Sequence, residues 1–218
     1  MKISARLRQL DAMAGAQYQH IWDCCCDHGL LGMLLLKRRA AETVHFVDIV
    51  PALMDTLEAK LQHFFPEQVG YWQVHCADVA SLRLPQVDRQ LVIIAGVGGE
   101  QCLAMVESLR ATHPGLPLDF LLCPVRHCFQ LRSALVDSGL GLISEYLLED
   151  NGRYYECLHL SSRASRTLTC VGDQIWAKAG DIQCGYLAKL LSHYQHQGDS
   201  VALEAYPHLA TRYGLAGC

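Results

Sequence analysis

"GLISEYLLEDNGRYYECLHLSS", residues 141–162, holds two strand-like runs facing each other across Asn151-Gly152. Asn-Gly is the strongest short hairpin signal, because both turn residues tolerate positive φ and the turn then twists with its strands. What this hairpin closes decides the fold.

Upstream, short apolar runs alternate with helical patterns. Strands are expected at His20–Asp23, Thr43–Asp48, Tyr71–Cys76, Gln90–Ala95 and Leu118–Cys123. The run at 90–95 is continuously apolar, as in a parallel strand covered on both faces. Helices are expected over residues 3–14 (Ile3, Leu7, Leu10 and Ala14 on one stripe) and over Leu30–Arg39. A third opens at Pro51, with Leu53, Leu57, Leu61 and Phe64 as its inner face. Two more run from Glu100, with Leu103, Val106 and Leu109 inward, and over Phe129–Asp137, closed by Gly139. Such alternation predicts an open, mostly parallel α/β sheet. A parallel sheet that finishes in an antiparallel hairpin has the outline of the Rossmann-like class I methyltransferase sheet. A dinucleotide dehydrogenase more often finishes with another parallel unit.

After the hairpin, Ser161, Ser162, Arg163, Ser165, Arg166 and Gly172 read as a boundary. The expected organisation is a catalytic domain over residues 1–165 and a short helical C-terminal region over 166–218, with helices at Gln174–Ala179, Ile182–Tyr194 and, more weakly, Val201–Tyr213.

The chain has 218 residues, 51% of them hydrophobic, and a formal net charge of −4. The bulk charge gives no support for a nucleic-acid partner, though a local basic patch is compatible with it. No apolar run approaches the roughly 20 residues of a membrane span, and residues 1–15 lack the apolar segment of a signal peptide. A cytoplasmic protein without a membrane partner is expected. Its 11 cysteines then read mainly as small buried hydrophobes or functional thiols rather than disulfides. Cys76, Cys123 and Cys157 on strands and Cys102 on a helix are read as core.

Ligands of open α/β sheets bind beyond the carboxyl ends of the strands. The first strand ends in Asp23-Cys24-Cys25-Cys26-Asp27-His28-Gly29, the second in Asp48, the third in Asp78, and the fourth in Ala95-Gly96-Val97-Gly98-Gly99. Asp48 lies 25 residues after Asp23, near the spacing at which an acid accepts both hydroxyls of a ribose. Asp78 would accept from an adenine amine. Any single acid here also reads as a helix N-cap, and the glycines as a tight turn; the joint placement favours a site. No GxGxxG is present, so a pyrophosphate cofactor is disfavoured. The three adjacent cysteines cannot all face one ion, and no CxxC occurs, so no metal is expected. Cys24 is expected to face the core. Cys25 is expected to be tolerated only at negative φ, because a Cβ disfavours the left-handed region.

These residues resemble a known family, the bacterial tRNA (adenine(22)-N1)-methyltransferases, over residues 3–160. The resemblance rests on Asp23 through Gly29, on Ile94-Ala95-Gly96-Val97-Gly98-Gly99, on Pro124, His127 and Arg132, and on the acidic hairpin Glu149, Asp150, Gly152, Tyr155 and Glu156. The N-terminal helix, with Ser4, Arg6 and Leu7, is similar too. Departures are Cys25 in a glycine slot, Val125 where asparagine is usual, Asp48 where glutamate is common, and a short C-terminal region.

The resemblance implies an S-adenosyl-L-methionine-dependent methyltransferase acting on N1 of an adenine in tRNA. It implies cofactor contacts from Asp23, Cys25, Cys26, Asp27, His28, Gly29, Asp48, Ile49, Asp78, Val79, Ala95 and Gly96. Asp27 and His28 would be the catalytic pair. Substrate contacts would come from Gly98, Gly99, Pro124, His127, Arg132 and Arg6. Lys2, Arg8, Arg126 and Arg153 are further candidates for phosphate. The alternatives are a methyltransferase-fold binding protein, a methyltransferase for another small-molecule or protein substrate, or a metal or thiol sensor.

Overall fold

The computed structural model describes residues 3–15, 18–178 and 180–214. Seven strands form one sheet: β1 (Tyr18–Cys24), β2 (Ala41–Asp48), β3 (Trp72–Cys76), β4 (Gln90–Ala95), β5 (Leu118–Cys123), β6 (Gly141–Asp150) and β7 (Arg153–Ser161). Their order is β3-β2-β1-β4-β5-β7-β6. β1 to β5 are parallel, while β7 runs antiparallel between β5 and β6. This is the Rossmann-like methyltransferase sheet the sequence predicts. The hairpin turns where expected: Asp150 pairs with Arg153, and Asn151 and Gly152 take φ of 52° and 73°.

The helices are α1 (Ala5–Met13), α2 (Leu30–Lys37), α3 (Pro51–Phe64), α4 (Gly99–Thr112), α5 (Cys128–Val136), α6 (Asp181–Gln197), α7 (Ser200–Ala205) and α8 (Pro207–Arg212). One apolar layer packs Leu10, Leu35, Leu57 and Leu61 against Ile21, Phe46 and Ile93. The opposite layer packs Cys102, Val106, Leu109 and Leu135 against Val92, Phe120 and Leu160. Strand order reverses between β1 and β4, so the loops after these two strands part and leave room at their carboxyl ends. Ile175, Trp176, Tyr186, Tyr194 and Tyr206 of the C-terminal region pack on Phe129 of α5 and Leu147 of β6.

Several local expectations change. Phe64 is exposed; α3 instead turns Met54, Leu57 and Leu61 inward, and Phe64 falls in its last turn, past the sheet. Leu53 and Leu103 are half-buried at the edges of their stripes. Cys102, Cys123 and Cys157 are buried, but Cys76 is exposed at the end of edge strand β3, with its Sγ near the Ile49 carbonyl. The expected helix at 174–179 is a single 3-10 turn, Gln174–Trp176, and Ala179 lies outside the described residues, as does Lys2. The expected helix at 201–213 is two short ones, split where Pro207 removes a backbone donor.

Candidate active site

The first loop is built from backbone in unusual states. Cys25, Asp27 and Gly29 take φ of 55°, 51° and 68°. Cys25 therefore occupies the left-handed region, contrary to the expectation of negative φ. The neighbours hold it there: the Cys26 N–H donates to the Val47 carbonyl (3.1 Å), and the Asp27 N–H donates to Asp48 Oδ2 (3.1 Å). A non-glycine residue in this region costs roughly 1–2 kcal/mol. Its side chain recovers part of this by packing against the apolar layer under α4. Cys25→Gly is expected to bind cofactor as tightly as wild type or tighter, with a melting temperature within roughly 3 °C of it. Isothermal titration showing a tenfold loss would mean that the thiol is itself a contact. Burial pushes the Cys25 thiol up to about 11, so it is not poised as a nucleophile.

Asp23 is buried, and its Oδ2 accepts from the Gly32 N–H at 2.8 Å. No ion pair accompanies it among the described residues. Burial raises its carboxyl to about 7, partly offset by the Gly32 hydrogen bond. Across the sheet edge, burial and then the neighbouring His75 and His20 lower the His45 imidazole to about 3. His45 bridges His20 and His75 at 2.9 Å each and stacks on Trp22 at 3.7 Å.

The two shifts oppose each other. A raised carboxyl makes the folded state hold a proton the unfolded state has lost, so Asp23 weakens the fold as pH rises from 3.8 to about 7. A lowered imidazole makes the unfolded state bind the extra proton, so His45 weakens the fold as pH falls from 6.5 towards 3. Asp23→Asn removes the first effect and keeps an acceptor for Gly32. The variant is expected to melt higher than wild type above pH 7 and to lose stability more steeply between pH 6 and 4, by up to about 1.4 kcal/mol per pH unit. Parallel melting curves across that range would refute this.

Two cavities flank the ends of β1 and β4 and share Cys25 and Val97 as a common wall. The first, about 430 Å³, is bordered by Arg6, Asp23, Cys26, Asp27, His28, Ala95 and Gly96. The second, about 460 Å³, is bordered by Asp48, Ile49, Asp78 and Val79, together with Gln101 and Met105 of α4. Asp27 and His28 are exposed, with Asp27 Oδ1 and His28 Nε2 3.7 Å apart, beyond hydrogen-bond range. Asp48 Oδ1 accepts from the Val50 N–H (3.2 Å), and Asp78 caps the 3-10 turn Val79–Ser81 through the Ala80 N–H (2.9 Å). Gly29 is the N-terminal cap of α2, behind the loop.

The expected substrate residues divide. Arg6 borders the first cavity, with its guanidinium 5.0 Å over the Tyr155 ring. Pro124 and His127 border a third cavity beyond the β5–α5 loop, and His127 Nδ1 lies 3.4 Å from Glu100 Oε1. Gly98 and Gly99 do not face a substrate: both are buried, the Gly99 N–H donates to the Arg126 carbonyl, and a Cβ on Gly99 would sit 2.4 Å from the His127 carbonyl oxygen. Close backbone approach is what Gly99 supplies; a Cβ on Gly98 would instead meet the Arg126 side chain, with its Nε 3.2 Å away. Arg132 is also corrected. It is fully buried, pairing Nη2 with Glu145 (2.7 Å) and Nε with Glu156 (2.5 Å), and has no open face for phosphate.

Sequence reasoning missed Gln101 and Met105; Val97 was quoted in the loop after β4 but given no contact of its own. The first two stand one helical turn apart on α4, a spacing that marks one face of a helix.

A family model described as "Methyltransferase domain" matches residues 3–158. Among solved structures, the m1A22 tRNA methyltransferase TrmK of B. subtilis superposes with a TM-score of 0.76 at 19% identity, covering 98% of this chain and 97% of that one. M. capricolum TrmK in complex with S-adenosyl-homocysteine gives 0.75 at 16% identity, covering 98% and 96%. Magnesium protoporphyrin IX methyltransferase of Synechocystis gives 0.57 at 15% identity, covering 73% and 83%. No curated protein matches the sequence.

Proposed function

This chain belongs to the methyltransferase-domain family, and we propose that it transfers a methyl group from S-adenosylmethionine to N1 of an adenine in tRNA. The observation that carries the cofactor is the charge of the paired cavities. The second cavity is bordered by two carboxylates, the Gln101 amide and apolar side chains and by no cation, which suits an uncharged nucleoside and repels a pyrophosphate. The first holds the buried Asp23 carboxyl without a cationic partner, which suits an ammonium group. An adenosine in one and an amino-acid moiety in the other, joined across Cys25 and Val97, satisfies both. The cofactor supplies an electrophilic methyl on a sulfonium.

This chain supplies binding and placement. Asp48 accepts from the ribose diol, Asp78 from the adenine amine, and Asp23 pairs with the ammonium. Asp27 stands exposed at the rim with His28 beside it, where a carboxylate offsets the positive charge that N1 methylation puts on the target ring. Because adenine N1 carries a lone pair, most of the rate enhancement comes from holding it in line with the methyl.

The tRNA assignment is supported by the likeness over almost the whole length of the m1A22 enzymes and by Arg6 at the cavity mouth. Among the described residues no helix is long and apolar enough to cross a membrane; an RNA substrate would place the protein in the cytoplasm. Incubation with total tRNA and labelled cofactor, read by nucleoside mass spectrometry, is expected to yield 1-methyladenosine. Cofactor binding without that product would refute the RNA substrate. No thermal shift with S-adenosylmethionine would refute the cofactor.

A further inference from the structure

We infer that the third cavity, between the β5–α5 loop, the hairpin and α6, holds a nucleotide of the RNA next to the one methylated. This rests on the tRNA reading above and adds a subsite to it. The cavity is about 430 Å³ and brings together groups far apart in sequence: Arg126 from the loop, Arg153 and Tyr154 from the hairpin, and Lys189 and His193 from α6.

Its chemistry is one-sided. No carboxylate borders it, and none of Arg126, Arg153 and Lys189 forms an ion pair among the described residues. Other surface cations, such as Arg8, Lys37 and Lys60, also lack an ion pair among the described residues; what sets Arg126, Arg153 and Lys189 apart is that they converge on one cavity from three separate elements. Three cations without an ion pair beside tyrosine rings, one of them Lys189 with its Nζ 5.7 Å over Tyr154, are what a sugar–phosphate with a neighbouring base requires. A peptide or lipid tail would call for fewer charges and more apolar wall.

Position points the same way. The Val125 N–H donates to the Val97 carbonyl (2.9 Å), so the loop forming one side of this cavity rests on the loop that separates the two cofactor cavities. On the other side, Tyr155 borders this cavity while carrying Arg6, which borders the first. A nucleotide held here adjoins the methyl-transfer pocket. The subsite also gives the short C-terminal region a role: α6 supplies Lys189 and His193.

The test uses the full chain with Arg153→Glu and Lys189→Glu, both at exposed positions where charge reversal leaves folding intact. Fluorescence anisotropy with labelled tRNA should show affinity falling about tenfold for each. The salt dependence should flatten by roughly 0.7–0.9 in log–log slope for each contact removed. S-adenosylmethionine affinity and melting temperature should stay unchanged, and Lys189→Arg should bind like wild type. Unchanged tRNA affinity and salt slope in both glutamate variants, with wild type still methylating tRNA, would overturn the subsite and leave the activity standing. A wild type that binds cofactor yet neither binds nor methylates tRNA would overturn both.

Discussion

Arg132→Met will destabilise the protein by about 3–5 kcal/mol, the cost typical of removing one partner from a buried ion pair. For a chain of this size that lowers the melting temperature by roughly 10 °C. The side chain is a junction. Its guanidinium reaches Glu145 on β6, Glu156 on β7 and the Thr169 carbonyl of the linker. Glu145 Oε1 accepts from the Asp173 and Gln174 N–H groups, and Glu156 Oε1 accepts from the Tyr186 hydroxyl on α6. Removing the cation leaves two carboxylates buried and loosens everything they hold, so the C-terminal region is expected to become sensitive to limited proteolysis beyond residue 162. The pH dependence adds a signature. Burial pushes the Glu145 carboxyl up, and the charge and hydrogen bond of Arg132, together with the Asp173 and Gln174 N–H groups, more than reverse this, so in wild type its contribution is present at neutral pH and lost in acid. In the variant only the Asp173 and Gln174 N–H groups still oppose burial at Glu145, so the deficit should shrink as pH falls and the carboxyls protonate. A deficit that is below 1 kcal/mol and flat with pH would show that the network is incidental.

The hairpin and the parallel strands were legible because their signals are local. Asn151-Gly152 specifies its turn by two backbone conformations, and the run at 90–95 announces its burial without reference to any partner. Arg132 was misread for the opposite reason. Its burial depends on two acids, 13 and 24 residues further on, that meet it only after β6 and β7 pair. A signal was present: Glu145 alternates with Leu147 on the inward side of β6, where an unpaired acid does not belong. Cys25 was misread because the rule against left-handed cysteine was applied to the residue, whereas the loop's hydrogen bonds to Val47 and Asp48 decide the conformation. Gly98 and Gly99 looked like room for a substrate; the room beside Gly99 is taken by the backbone of residues 126–127 and that beside Gly98 by the Arg126 side chain. Composition was blind to the cation cluster, because an overall charge of −4 averages over a surface on which acids and bases are unevenly paired.

Asp48→Ala is expected to weaken S-adenosylmethionine binding a hundredfold or more. Two hydrogen bonds from ribose hydroxyls to a charged acceptor contribute about 1.5–3 kcal/mol each. The carboxylate also holds the Asp27 and Val50 N–H groups at 3.1 and 3.2 Å, so part of any loss comes from a loosened loop rather than from a missing contact. The two contributions separate by changing the ligand as well as the protein. Against a cofactor analogue lacking the ribose 2′-hydroxyl, wild type already forgoes one of the bonds, so the further loss on Asp48→Ala should be at least tenfold smaller than with the parent cofactor. If the loop alone were at fault, both ligands would lose affinity by the same factor and the coupling between the two changes would be zero. Asp48→Asn keeps the shape and one acceptor oxygen for the loop but gives up the charge, so its loss should fall between the two, at about tenfold. Titration calorimetry at pH 8, where Asp23 is mostly ionised, keeps that second carboxyl from obscuring the comparison.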